Sequence, residues 1–229
     1  MKKYLLIAAA SLLVVTTTSA QDVLKQQGGE QNIEVQFNPF GDEAISTWGL
    51  RYRKFTDATT ALRANVNLGY KGTSDFMLIN VPVDGEDQEI ELEMRTGAIH
   101  LELQGGIEKH FPGTDRLSPY VAGYGMIGFE RSSLINEEPL FDNTTDVAEL
   151  TTSNGSFTFG VAGAAGVDFY FADDIYLGAE LNYTISVKNN FDTVTESDQE
   201  GVDDIEDPNG AEFCAEFGTI GAIRLGFLF

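Results

Sequence analysis

Apolar and polar residues alternate through most of this chain, and the alternation is clear in its last thirteen residues. From Phe217 to Phe229 the odd positions are mostly apolar, whereas the even positions include Gly218, Arg224 and Gly226. A period of two is that of a β-strand, whose successive side chains point to opposite faces. The pattern therefore predicts a strand that continues to a terminal aromatic residue.

Seven earlier segments show the same period, and a helical period is almost absent between them. These segments are 32–39, 45–55, 62–71, 99–111, 117–131, 156–171 and 175–188. Strands of this length suit tilted strands that cross a membrane. We predict an all-β fold, an eight-stranded antiparallel up-and-down transmembrane β-barrel.

The connections between these strands support the same fold. The second, fourth and sixth are turns of a few residues, whereas the third, fifth and seventh span 72–92, 132–154 and 189–216. The first connection, between 32–39 and 45–55, is the exception, because it is short although it lies at the end of the long loops. Short turns at one end and long loops at the other are typical of outer-membrane barrels, with both termini at the short-turn end.

The alternative is a soluble eight-stranded barrel of the lipocalin or streptavidin kind, which would turn its polar face to water. The polar face of 156–168 is made of small residues and Asp168, without the many lysines and glutamates of a solvated surface. A narrow interior would also not hold the bulky apolar face of all eight strands. Aromatic residues gather near both strand ends, as at two membrane interfaces. We expect the apolar face to contact lipid.

The start of the chain predicts export. Two lysines precede an apolar core from Tyr4 to Val15 and a small-residue end at Ala20, so residues 1–20 are predicted to be a signal peptide. Residues 21–31 are polar and predicted to be flexible, and 32–229 would form the barrel domain.

Composition narrows the set of partners. The net charge of −22 argues against nucleic acid, whose phosphates would be repelled. The single cysteine, Cys214, cannot form an internal disulfide.

Residues 32–229 resemble the small bacterial outer-membrane β-barrel superfamily of OmpA-, OmpX- and OmpW-like proteins. The resemblance rests on the eight-strand pattern and on Phe229, and the start of the fifth strand, Leu117-Ser-Pro-Tyr-Val121, is similar to versions common in Bacteroidetes. It implies a monomer in the lipid bilayer of the outer membrane, with periplasmic termini, extracellular loops and no cofactor. It also implies insertion by the barrel-assembly machinery, with Phe227 and Phe229 as the insertion signal.

The predicted interior contains four arginines and six carboxylates. They are Glu34, Arg51, Arg53, Arg63, Glu102, Glu108, Glu130, Asp168, Glu180 and Arg224. Buried charges must be paired, so we predict a salt-bridged network that fills a narrow interior. Arg224 would find Glu34 on the adjoining first strand.

Catalytic residues are not predicted. The only histidines, His100 and His110, lie on the polar face and outside any serine-containing motif. Two separated histidines without a cysteine partner also make a poor zinc site.

The three long loops contain 6, 5 and 10 acidic residues and neither lysine nor arginine. The last includes a candidate weak calcium-binding set: Asp198, Glu200, Asp203, Asp204, Glu206 and Asp207. Carboxylates suit Ca²⁺, but EF-hand spacing is absent, and the alternative is a solvated acidic surface. Thr193, between Asp192 and Val194, matches a short O-glycosylation pattern seen in Bacteroidetes.

The loop over 72–92 has a structure of its own. Two alternating segments flank Asp84-Gly85, a hairpin turn signal, so we predict that the third and fourth strands extend well beyond the bilayer. An exposed edge there would suit a partner that adds a strand.

We therefore expect a non-enzymatic outer-membrane protein with a structural or surface-interaction role. The alternatives are a narrow channel for ions or small solutes, and a subunit of an envelope or secretion complex.

Overall fold

The residues that the structure describes form one antiparallel sheet of eleven strands. The computed structural model describes residues 25–37, 48–83, 86–140, 146–199, 201–218 and 223–229, so the predicted signal peptide lies outside the described residues. The strands are β1 (Gln31–Phe37), β2 (Trp48–Asp57), β3 (Thr60–Val83), β4 (Glu86–His110), β5 (Leu117–Pro139), β6 (Val147–Ala172), β7 (Ile175–Asn190), β8 (Thr193–Ser197), β9 (Ile205–Asp207), β10 (Ala211–Gly218) and β11 (Ile223–Leu228).

Hydrogen bonds close eight of these strands into a ring that is consistent with a β-barrel. Strands β1 to β7 pair in chain order, and β11 pairs with both β7 and β1. Ile33 lies opposite Phe227, which confirms that the last strand closes the sheet against the first. The predicted all-β, antiparallel class is also confirmed. Among the described residues, no helix is long and apolar enough to cross a membrane.

One end of the ring carries short turns. These connect β2 to β3, β4 to β5 and β6 to β7, and at the same end Asn32 pairs with Leu228. Asp174, in the β6–β7 turn, has a φ of 59°, a conformation that aspartate tolerates better than most residues. In the β2–β3 turn, the Thr59 hydroxyl and backbone N–H donate to the Asp57 carboxylate and lower its pKa to about 2.

At the opposite end, four strands continue far beyond their neighbours. β3 and β4 pair without interruption until Val83 lies opposite Glu86, which confirms the predicted hairpin around 84–85. We call this projecting sheet the extension; it comprises 69–83, 86–98, 132–139 and 147–155.

Two loop predictions were wrong. Residues 132–154 are largely strand, because β5 and β6 pair as far as Pro139 opposite Val147. Much of 189–216 is also strand, since β8 pairs with β6, β9 with β8 and β10 with β7. The 132–154 segment is rich in threonine, serine and aliphatic residues, and cross-strand pairs of such residues keep it extended.

Burial divides the ring into a polar interior and an apolar exterior. The charged and amide side chains of alternate positions are buried, whereas the large hydrophobic residues between them are exposed. On β5, Tyr120 and Tyr124 face inward and Val121, Ile127 and Phe129 face outward. The predicted assignment of the two faces is therefore confirmed.

Candidate functional site in the interior of the ring

Four arginines and four carboxylates from seven strands meet in the interior. We call this set the charge cluster: Glu34, Arg51, Arg53, Arg63, Glu108, Asp168, Glu180 and Arg224. Each is at most 4% exposed. Strand alternation places all eight side chains on the inward face, because each lies at the parity of the other buried residues on its strand.

Arg53 is the centre of the charge cluster and contacts three carboxylates. Its guanidinium lies 2.6 Å from Glu34, 2.8 Å from Glu108 and 2.8 Å from Asp168. Its Nε also donates to Asn32 Oδ1 at 3.3 Å. The planar fork of arginine suits this role, since it presents five N–H donors in fixed directions.

The other three arginines complete the pairing. Arg51 and Arg63 each donate two hydrogen bonds to Glu180, at 3.0 and 3.1 Å and at 3.1 and 3.2 Å. Arg224 pairs with Glu34 at 3.0 Å, as predicted, and with Asp168 at 2.9 Å. Because positive and negative groups are equal in number and in mutual contact, the desolvation cost of each charge is offset by its partners.

Tyrosines fill the space around the charge cluster and hydrogen-bond to it. Tyr120 and Tyr176 donate to Glu180 and Glu34, each at 2.5 Å. Each ring lies over the residue opposite on the next strand, which is Gly166 for Tyr120 and Gly226 for Tyr176. A Cβ at either glycine would overlap the tyrosine ring, so both positions require glycine for this close approach.

Replacing Gly226 by valine is expected to lower the free energy of unfolding by about 1–3 kcal/mol, because overpacking displaces Tyr176 and its hydrogen bond to Glu34. The change is measured by titrating the refolded protein with urea in detergent. Heat-modifiable gel mobility reports the folded fraction at each urea concentration. The matched control is Gly123→Val, since a Cβ at Gly123 meets no atom within 4 Å. Equal destabilisation by the two variants would contradict this account of the glycine.

A second hydrogen-bond chain lies between the charge cluster and the short-turn end. His110 contacts Glu108 through Nε2 at 3.3 Å and Ser118 Oγ through Nδ1 at 2.8 Å. Ser118 Oγ accepts from Gln26 Nε2 at 2.7 Å, and Gln26 Oε1 accepts from Tyr170 at 3.0 Å. In the tautomer in which His110 Nδ1 accepts the Ser118 proton, Nε2 donates to Glu108.

The Ser118, His110 and Glu108 contacts have the order of a Ser-His-acid triad. Their surroundings do not favour catalysis, however. Ser118 is 1% exposed, and Gln26 occupies the acceptor side of its hydroxyl, where a substrate carbonyl would have to approach. Gln26 lies in the segment predicted to be flexible, yet it is itself buried against Ser118 and Tyr170.

The remaining predicted interior charges lie outside the charge cluster. Glu102 accepts from Asn67 and Gln104, each at 2.8 Å, and Glu130 pairs with Lys188 at 3.5 Å. Both are nearer the extension, where the interior is less buried. His100 is opposite Glu130 on β5 and is half-buried.

The predicted terminal signal lies on the exterior. Phe227 and Phe229 are exposed, at 46% and 65%. The main chain of Phe229 is fixed by two hydrogen bonds to Gln31, at 2.9 and 3.0 Å.

The acidic loop shows no metal-binding arrangement in the part of it that the structure describes. Within the described residues, no three histidine, cysteine or carboxylate groups approach closely enough to hold an ion, and Glu200 lies outside them. Asp198 Oδ1 instead accepts the Glu149 N–H at 2.8 Å. Thr193 is in β8, where its hydroxyl accepts from Asn209 at 2.8 Å.

Sequence reasoning did not identify the tyrosines, Ser118 or Gln26 as members of the interior network. The tyrosines had a usable signal, because Tyr120 and Tyr176 share the parity of charged residues on their strands. Gln26 had none, since it precedes the first alternating segment. No protein-family model matches the chain, and no curated protein matches it.

Proposed function

We propose that this chain is an eight-stranded β-barrel of the bacterial outer membrane, non-enzymatic and monomeric, with a structural or surface-interaction role. The observation that carries the proposal is the inverted polarity of the ring. Fully buried charges occupy the inside, while side chains such as Val161, at 61% exposure, face outward. A protein that exposed this surface to water would lose the hydrophobic stabilisation that a lipid environment provides.

The dimensions of the apolar exterior support a membrane-spanning ring. On β4 the apolar exterior runs from Ile99 to Ile107, and Lys109 follows on the same face at the short-turn end. On β5 it ends at Phe129, and Arg131 follows on the same face at the other end. Spanning strands are about 9–11 residues long. The apolar band therefore has the length of a bilayer crossing and charged residues at both borders.

The two ends of the ring suggest an orientation. We place the short turns in the periplasm, as in known barrels, and the extension outside the cell. Phe227 and Phe229 would then lie at the periplasmic interface, where they would serve the barrel-assembly machinery as an insertion signal. The acidic extension, with exposed Phe76 and Leu78, would be the surface available to a partner such as an envelope complex.

The charge cluster favours a closed interior over a channel. Its ion pairs connect seven of the eight ring strands, and a solute would have to separate fully desolvated pairs to pass. The enclosed position of Ser118 beneath Gln26 favours a non-enzymatic role.

Planar-bilayer recording tests the closed interior. We expect the purified protein to give no discrete conductance steps above a preparation from cells that lack it. The informative variant is Glu102→Gln. Glu102 is in the interior of the ring but does not belong to the charge cluster. Stepwise conductance whose ion selectivity changes in Glu102→Gln would contradict the proposal and identify a channel.

A further inference from the structure

A small polar pocket opens where the interior meets the extension. It has a volume of about 210 Å³ and lies on the inner side of β5, β6 and β7. That volume equals roughly seven water molecules and is below the range of about 300–1,000 Å³ for drug-sized ligands. The pocket therefore suits one small molecule.

The roof of the pocket is held in place by hydrogen bonds. Asn209 Nδ2 donates to Phe191 O at 2.9 Å and to Thr193 Oγ1 at 2.8 Å. The Phe191 N–H donates to Gly155 O at 2.8 Å. The Phe191 ring lies on the outer side of the sheet, against the outward-facing Phe129 with centroids 6.2 Å apart, and anchors this segment from there. These contacts preorganise the pocket, which lowers the entropic cost of binding.

The lining offers donors and acceptors in alternation. Glu130 and Lys188 lie 3.5 Å apart and remain partly exposed, so both keep lone pairs or N–H groups for a ligand. Among the described residues, Asn154 Nδ2 and Asn209 Oδ1 make no hydrogen bond, which provides one further donor and one further acceptor. Ser156 adds a hydroxyl. A ligand hydroxyl both donates and accepts, so a polyol matches this lining.

The charge of the pocket disfavours other ligand classes. An anion would meet Glu130 and the acidic extension of a protein whose net charge is −22. A cation would have to displace Lys188 from Glu130, to which it is paired at 3.5 Å, and a zwitterion would have to separate the two. We propose that this pocket binds a neutral, hydroxyl-rich ligand of monosaccharide size. The inference is independent of the membrane proposal.

Calorimetric titration with glucose, galactose and mannose tests the pocket, and glycine betaine is the zwitterionic comparison. The protein is kept in an amine-oxide detergent, because a detergent with a sugar headgroup could compete for the site. For a ligand of this size we expect a dissociation constant on the order of 1 mM for at least one sugar. Glu130→Gln and Lys188→Met should each weaken that binding about tenfold, because each removes a charge-assisted hydrogen bond. Glu149→Gln is the control, since Glu149 forms an exposed ion pair with Arg95 outside the pocket.

Heat-modifiable gel mobility first establishes that each variant is folded. Binding of a sugar that both pocket variants weaken and Glu149→Gln leaves unchanged would support the site. Absence of saturable binding by all three sugars up to 50-fold above that dissociation constant would overturn it, as would binding that both pocket variants leave unchanged. Tighter binding of betaine than of the sugars would overturn the assigned ligand class.

Discussion

Replacing Arg53 by methionine is expected to lower the free energy of unfolding by about 3–5 kcal/mol. Arg53 is fully buried and contacts Glu34, Glu108 and Asp168 within 2.8 Å. Methionine retains much of the side-chain volume but removes the charge. Three arginines would then face four carboxylates in a desolvated interior, and an uncompensated buried charge is among the most costly defects in a folded protein.

Urea titration of the refolded protein gives the change in the free energy of unfolding, with heat-modifiable gel mobility as the readout of the folded fraction. The control is Arg95→Met, because Arg95 and Glu149 form a half-exposed pair in the extension that should contribute less than about 1 kcal/mol. The double variant R53M/E108Q restores equal numbers of opposite charges and is expected to be more stable than R53M. Equal stabilities of the Arg53 and Arg95 variants would show that the charge cluster does not stabilise the fold.

Replacing Leu103 by arginine is expected to destabilise the protein in lipid vesicles by about 2–4 kcal/mol. Leu103 lies midway along the apolar stretch of β4 and faces outward, opposite Val66 and Ile127. If this face contacts acyl chains, a guanidinium there must be desolvated or must reach the interface, and both are costly.

The matched control is Leu78→Arg in the extension. Leu78 is 59% exposed and faces outward like Leu103, but its neighbour on β4 is Glu91, with which an arginine can pair in water. We expect this variant to change stability by less than about 0.5 kcal/mol. The comparison is made by urea titration in the same vesicles, and equal effects at the two positions would argue against a lipid-facing ring.

The ring was predictable from sequence because strand alternation is a local property. Every second residue reports its face, so positions such as Arg224 and Glu34 could be assigned to the interior and paired across the closing strands. The same parity also included Glu102 and Glu130 in the predicted interior network; both lie nearer the extension, outside the charge cluster. Odd or even position determines which face a residue lies on. It does not determine the position of that residue along the axis of the ring or which side chains it can contact.

The extension was only partly predictable for a related reason. Asp84-Gly85 marks a hairpin turn, so the β3–β4 projection could be predicted, whereas 132–154 has serines and threonines that occur in both loops and strands. Its pairing depends on the neighbouring β4 and β8, which are distant in sequence. Gln26 illustrates the same limit, since its partners Ser118 and Tyr170 lie about 90 and 140 residues away.

Spin-label accessibility in vesicles tests whether the exterior of the ring contacts lipid. In a Cys214→Ser background, nitroxides are attached at Val66→Cys and Val161→Cys on the ring and at Leu78→Cys on the extension. We expect both ring positions to collide more often with oxygen, which partitions into lipid, than with a water-soluble nickel chelate, and Leu78→Cys to show the opposite preference. Nickel accessibility at Val66→Cys and Val161→Cys equal to that at Leu78→Cys would contradict contact with lipid.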